Sequence, residues 1–341
     1  MKFALSILWV ALLVGCASNQ SSPASPPVAK EEASKQQEVP DQATMDMMMQ
    51  WTYMQGAATG NWAPFHKLVQ RYATLGNVEA ENLLGMMYLE GTGVAQDSAM
   101  GLAYLEKSSA HGSPNAPFNL GVRYHMGKNG LKKDPVKAFE LYQVAADRGL
   151  DRAQYNVCIM LMSGEAGTKD LERAKPYCKA AAENGFTEAW ERYAVIEATE
   201  DNFILSFELA SKGVAGKDLD AAEHVGHLAT WLLPQPELMQ QPKLRQAIRS
   251  ACEPAARLGD TQCPGVLAVV DPASPKEAYT WYLVAKARTG SALPAKALKI
   301  KKSLTAAQRK SAKAAADELI ARIPPESEHC NSCTDGNFGQ H

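Results

Sequence analysis

The sequence predicts an all-α fold: a solenoid of antiparallel helix pairs. Three observations predict it. A segment recurs with a period of about 36 residues, the mark of a repeat architecture. Within each copy, apolar residues return at spacings of three and four, which lines one helical face. Glycines and aspartates recur where such helices would end and begin. The first copy, residues 80–112, reads AENLLGMMYLEGTGVAQDSAMGLAYLEKSSAHG, and the second, residues 116–149, reads APFNLGVRYHMGKNGLKKDPVKAFELYQVAADRG. Leu84 and Gly85 match Leu120 and Gly121, Tyr88 matches Tyr124, Gly91 matches Gly127, and Asp97 matches Asp134 after one inserted residue.

Each element follows from this register. Ala80, Leu84, Met87 and Tyr88 form the apolar stripe of a first helix. Gly85 and Gly121 stand in mid-helix, where glycine costs about 1 kcal/mol against alanine, so a neighbouring helix backbone is expected to pass close. Gly91 ends the first helix, and Asp97 and Asp134 suit the cap of the second. A third copy runs through Ala153, Cys158, Leu161, Gly164, Asp170, Ala174 and Gly185. A fourth begins at Ala189 but lacks the glycine turn, and its second helix, near 203–212, is expected to be short. A fifth runs from Ala221, with Val225 and Gly226 in the Leu-Gly slots, to Gly259; Pro234, Pro236 and Pro242 mark an insertion between its helices. A sixth opens at Cys263 and ends at Gly290. Thr305 with Gln308 has capping-box form and opens a last helix, which covers the final repeat as solenoids require.

The pattern A-x-x-x-L-G-x-x-Y-x-x-G, then G-V-x-x-D, then A-A-x-x-G resembles the Sel1-like repeat, a relative of the tetratricopeptide repeat. The resemblance implies a right-handed α-solenoid whose groove binds other proteins, without catalysis. Exposed side chains on the first helices are then the expected partner-binding residues: Asn82, Met86, Arg123, Asn156 and Arg192. Sel1-like relatives that organise polysaccharide export imply an envelope scaffold, and others imply an immunity protein neutralising a secreted toxin such as a lipase.

The N-terminus speaks to compartment. Lys2 precedes an apolar run over 3–15, long enough for a signal-peptide core and too short to span a bilayer. It ends in Leu13, Val14, Gly15 and Cys16, which resembles the lipobox of bacterial lipoproteins. That resemblance implies cleavage before Cys16, acylation of Cys16, and, with Ala17 following, an outer-membrane anchor facing the periplasm. Several acyl chains hold stably where one is marginal. Residues 17–44 are rich in Ser, Pro, Ala, Gln, Lys and Glu with no apolar period and read as a disordered tether. Its reach is about 30 Å. N-terminal capping helices are expected over 45–75, the repeats with their terminal helix over 76–322, and a tail over 323–341.

With Cys16 acylated, six cysteines remain. In an oxidising compartment an even number suggests disulfides, and six allow fifteen pairings. Repeat geometry favours Cys158 with Cys178 across one helix pair. Cys252 and Cys263 stand where they would clip adjacent units, and Cys330 with Cys333 would pin the tail. Cysteine-rich Sel1-like proteins resemble this in linking helices of the scaffold.

The chain carries 35 Lys and Arg against 37 Asp and Glu, for a net charge of −2, which gives no case for nucleic acid. Met45, Met47, Met48, Met49 and Met54 are thioethers suited to Cu(I), but no Cys or His nearby completes such a set, so a capping role is favoured. His329, Cys330, Cys333 and His341 have the ligand number for zinc without the surrounding fold. A periplasmic metal-binding protein stays open as an alternative on these two clusters. His224 and His227, three apart on a helix, lack the spacing and intervening glutamate of H-E-x-x-H and read as surface or packing residues. No G-x-S-x-G occurs, and Gly91, Thr92 and Gly93 lack the context of a nucleotide loop. No catalytic set and no cofactor is expected. Lys296, Lys299, Lys301, Lys302, Arg309, Lys310 and Lys313 read as a solvated helix face.

Overall fold

The computed structural model describes residues 42–323. Cys16, the tether up to residue 41, and the tail with His329, Cys330, Cys333 and His341 lie outside the described residues. Among the described residues every regular element is a helix, seventeen in all, and no strand occurs. None of these helices is long and apolar enough to cross a membrane. The chain divides into two compact units, with the division between Tyr104 and Leu105.

The first unit holds α1 (Gln42–Thr59), α2 (Ala63–Thr74), α3 (Val78–Glu90) and the opening of α4 (Ser98–Ala110). Its core is Phe65, Val69, Tyr72, Ala80, Leu84, Met87 and Tyr88, flanked by the aromatic cluster of Tyr53, Trp62 and Phe65. Asn77 caps α3 by accepting from Ala80 N at 2.8 Å, and Gly91 ends it at φ 73°. Asp97 accepts from Met100 N at 2.9 Å at the start of α4, the expected cap. The close approach expected at Gly85 is present: a Cβ on Gly101 of α4 would lie 2.8 Å from the Gly85 carbonyl oxygen. Of the α1 methionines, Met49 packs on the core while Met47, Met48 and Met54 are exposed, as is Trp51. Met48 also meets the core, its sulfur accepting from the hydroxyl of buried Tyr72 at 3.5 Å, and the side chain of Met45 lies outside the described residues.

The second unit continues as helix pairs: α5 (Asn115–Met126) with α6 (Pro135–Asp147), α7 (Asp151–Ser163) with α8 (Leu171–Glu183), and α9 (Ala189–Thr199) with α10 (Phe203–Ala215). Asp134 and Asp170 cap α6 and α8 by accepting from Lys137 N and Arg173 N, and Gly127 and Gly164 end α5 and α7 with positive φ. Cys158 and Cys178 form a disulfide between α7 and α8. In the preceding pair the same slots hold Gly121 and Tyr142, where a Cβ on the glycine would stand 2.8 Å from the tyrosine ring. The space behind Gly121 is thus taken mainly by an aromatic ring. One repeat later the ring-on-glycine contact is replaced by a covalent bond.

Beyond α10 the pairs depart from the pattern. α10 is thirteen residues long, as long as α6 and α8, so the short helix expected near 203–212 is corrected. In place of the missing glycine turn, Asp201 takes a left-handed φ of 61°, and Asn202 follows as the N-cap of α10. α11 (Leu219–Leu232) joins α13 (Pro242–Leu258) through a one-turn α12 (Pro236–Met239). The sixth unit's first helix shrinks to α14 (Cys263–Leu267) before α15 (Pro275–Thr289). A Cβ on Gly226 would overlap the carboxylate of Asp260, whose Oδ1 accepts from Cys263 N at 2.6 Å and so anchors α14. α16 (Ala295–Ser303) and α17 (Ala306–Arg322) close the described chain, and α17 opens with the expected Thr305 and Gln308 capping box. α17 buries Ala312 and Ala316, while Lys296, Lys299, Lys301, Lys302, Lys310 and Lys313 are exposed.

Candidate partner-binding face

The repeat register sets which first-helix side chains share a face. One slot follows three residues after the first alanine of each repeat. It holds Asn119 on α5, Asn156 on α7, Arg192 on α9 and His224 on α11. Asn156 hydrogen-bonds the hydroxyl of buried Tyr142, and burial pushes that phenol well above its ordinary value. Close by, His125 Nε2 meets Glu165 Oε1 at 2.8 Å. Arg192 hydrogen-bonds Tyr155 on α7 and reaches Asp220 on α11 at 3.4 Å, so it ties three first helices together.

At the α9–α11 end this row borders a cavity of about 260 Å³ lined by Glu191, Arg192, Asp220, Glu223, His224 and His227. Glu191 is only 5% exposed. Its Oε2 lies 3.0 Å from Arg192 Nε, an ion-pair distance but not a hydrogen-bonding geometry. Burial pushes the Glu191 carboxyl up to about 7; Arg192 pulls it back, and Asp218 and Asp220 push it further. Burial likewise raises Asp218, the α11 cap, to about 6. His224 moves the other way, down to about 4, through burial and then the nearby His227 and Arg192. Two desolvated titratable groups, Glu191 and His224, therefore flank one arginine, and Asp218 adds its charge to Glu191.

The arrangement suits recognition better than bond-making. Ser206 Oγ lies 3.0 Å from His224 Nε2, but it is fully buried and donates to the Ala194 carbonyl at 2.8 Å. A hydroxyl so placed has neither a free path to substrate nor its proton aimed at the imidazole. Among the described residues no group of three or more His, Cys, Asp or Glu has metal-binding geometry.

The five side chains expected to form this face do not all share it. Asn82 and Met86 lie half-buried on α3, in the first unit, in different register slots from Asn156 and Arg192. Arg123 is a correction: it is 9% exposed, not solvent-facing. It occupies the slot that Met87 and Met160 fill with buried thioethers, beside Tyr142. Its aliphatic stem substitutes for methionine there, as long cationic side chains can. Asn156 and Arg192 do share the row, half-buried. His224 and His227, read from sequence as surface or packing residues, also line the cavity, His227 exposed and His224 half-buried; His224 falls in the slot of Arg192, a signal the repeat register carries. Cys252 and Cys263, expected to clip adjacent units through a disulfide, are instead both buried as free thiols, with their sulfurs 2.6 Å apart.

The described residues thus define a helical-hairpin repeat protein with a polar first-helix face. The Sel1 repeat family model matches residues 78–113, 114–150 and 151–186, so this part of the chain consists of three Sel1 repeats. It is similar to chitin synthase regulatory factor 3 of Schizosaccharomyces pombe, 36% identical over 83 residues, covering 24% of this chain and 9% of that protein. It is similar to an exopolysaccharide production negative regulator of Rhizobium meliloti, 29% identical over 129 residues, covering 34% of this chain and 48% of that protein. The chain therefore spans less than half of either relative. Among solved structures, c5321, a protective antigen of uropathogenic Escherichia coli with an SLR fold, is 23% identical with a TM-score of 0.49, covering 84% of this chain and 63% of that one.

Proposed function

We propose that this protein is a non-catalytic adaptor that binds another protein on its first-helix face and thereby regulates a polysaccharide-producing process at the cell envelope. The observation that carries the reading is the polar row of Asn156, Arg192 and His224, which leads into the cavity around Glu191. Rigid stacked hairpins present such a surface with little ordering cost on binding. The names of the two relatives, regulators of chitin synthase and of exopolysaccharide production, support the process. In this reading Cys16 is acylated and holds the repeats at the outer membrane, facing the periplasm. A Cys16→Ser variant should leave the membrane fraction; if it stays there, the anchor is refuted.

The test is crosslinking in the native cell, affinity purification and mass spectrometry. Several components of one polysaccharide-synthesis or export machine are expected. A single dominant secreted hydrolase would replace the scaffold with an immunity role. No protein partner, under conditions that capture a control complex, would overturn the adaptor reading.

A further inference from the structure

A groove in the second unit lies where the chain departs from its own repeat. In the earlier pairs a loop that opens with a left-handed glycine joins the two helices. Between α9 and α10 that loop is gone, and the insertion between α11 and α13 builds a wall opposite. An open groove of about 780 Å³ results, lined by Phe203, Ile204 and Leu205 of α10, Trp231 of α11, Leu238 of α12 and Leu244 of α13. Trp231 is 55% exposed and Leu205 38%, and the Trp231 ring leans on Phe203 at a centroid distance of 5.9 Å. Exposed tryptophan over an apolar floor is the composition of a binding hot spot. The charged groups in the lining are Asp201 and Glu208, both acidic and both exposed; no basic group lines it.

We propose that this groove is a second docking site, for a short peptide segment of a partner protein that seats an apolar side chain against Trp231 and sets a lysine or arginine near Asp201 and Glu208. The occupant is cationic because a partner carrying acidic groups would bring like charges together in a partly desolvated groove. The site shares no lining residue with the Glu191 cavity, so it stands independently of the first-helix reading.

Selection of a phage-displayed library of random peptides against the full chain tests this. Enriched peptides should combine aliphatic or aromatic residues with lysine or arginine. A synthetic copy of the dominant one should bind Trp231→Ala about tenfold or more weakly. Glu208→Lys should weaken it several-fold, and His227→Ala should leave it unchanged. Both groove side chains are exposed, so circular dichroism should show intact helices in each variant. No enrichment, enrichment of neutral or acidic peptides, or unchanged binding to Trp231→Ala would overturn the proposal. Loss of binding to His227→Ala but not Trp231→Ala would overturn it while supporting the first-helix face. Self-association of the chain that Trp231→Ala abolishes would overturn it too, making a second copy the occupant.

Discussion

Replacing Glu191 with glutamine should change how stability depends on pH. Burial holds the Glu191 carboxyl at about 7 against an ordinary 4.5. Between those values the folded chain keeps a proton that the unfolded chain has released, so this group's contribution to stability falls as pH rises through the window. At about 1.4 kcal/mol for each pH unit in that window, the loss is about 3 kcal/mol. His224 acts in the opposite sense: its folded value near 4 means that the unfolded chain takes up a proton between there and 6.5, so stability rises with pH over that range. Asp218, raised to about 6, adds to the fall from its ordinary 3.8 upward. In the native protein these contributions overlap, but the difference between variant and native isolates Glu191. Urea unfolding followed by circular dichroism should show Glu191→Gln gaining about 3 kcal/mol relative to the native protein between about pH 4 and about pH 8. A constant offset across that range would refute the buried-carboxylate account of the cavity.

Other outcomes follow from the packing. Replacing Cys158 and Cys178 together with alanine removes a link between residues 20 apart. The chain-entropy model gives a loss of about 3 kcal/mol, read as a lower urea midpoint; an unchanged midpoint would mean the link adds nothing. Cys252 and Cys263 are expected to form a second disulfide in protein isolated under oxidising conditions, since sulfurs 2.6 Å apart are inside non-bonded contact. Peptide mapping after alkylation without reductant should recover the crosslinked peptides, and two alkylated thiols would contradict this. Gly226→Ala should destabilise by about 2 kcal/mol, because the new Cβ displaces the Asp260 carboxylate by more than the helix-propensity gain offsets. A stabilised variant would show that Asp260 moves without cost.

The repeats and their caps were legible because each is a local rule written once per repeat, and that register also set Cys158 opposite Cys178. Asp134 and Asp170 cap helices in the structure as their spacing implied. Arg123 misled because a charged residue in a core slot looks, in isolation, like a surface residue; only alignment with Met87 and Met160 shows the slot is buried. The length of α10 was missed because a left-handed Asp201 can replace a glycine turn, and aspartate does not announce that conformation as glycine does. The cavity and the groove depend on how α9 to α13 meet, and no periodicity encodes that meeting. The repeat register sets His224 in the slot of Arg192, whereas the space that His224 and His227 share with Glu191 depends on how α9 and α11 pack.

The central claim, that the first-helix face is where a partner docks, is tested most directly by a photocrosslinking amino acid placed in the native cell at His227, which is exposed at the cavity. The control position is Lys179, exposed on the second helix α8. The account predicts a discrete adduct with one protein from position 227 and none from position 179. No adduct from 227, or the same adducts from both positions, would contradict it.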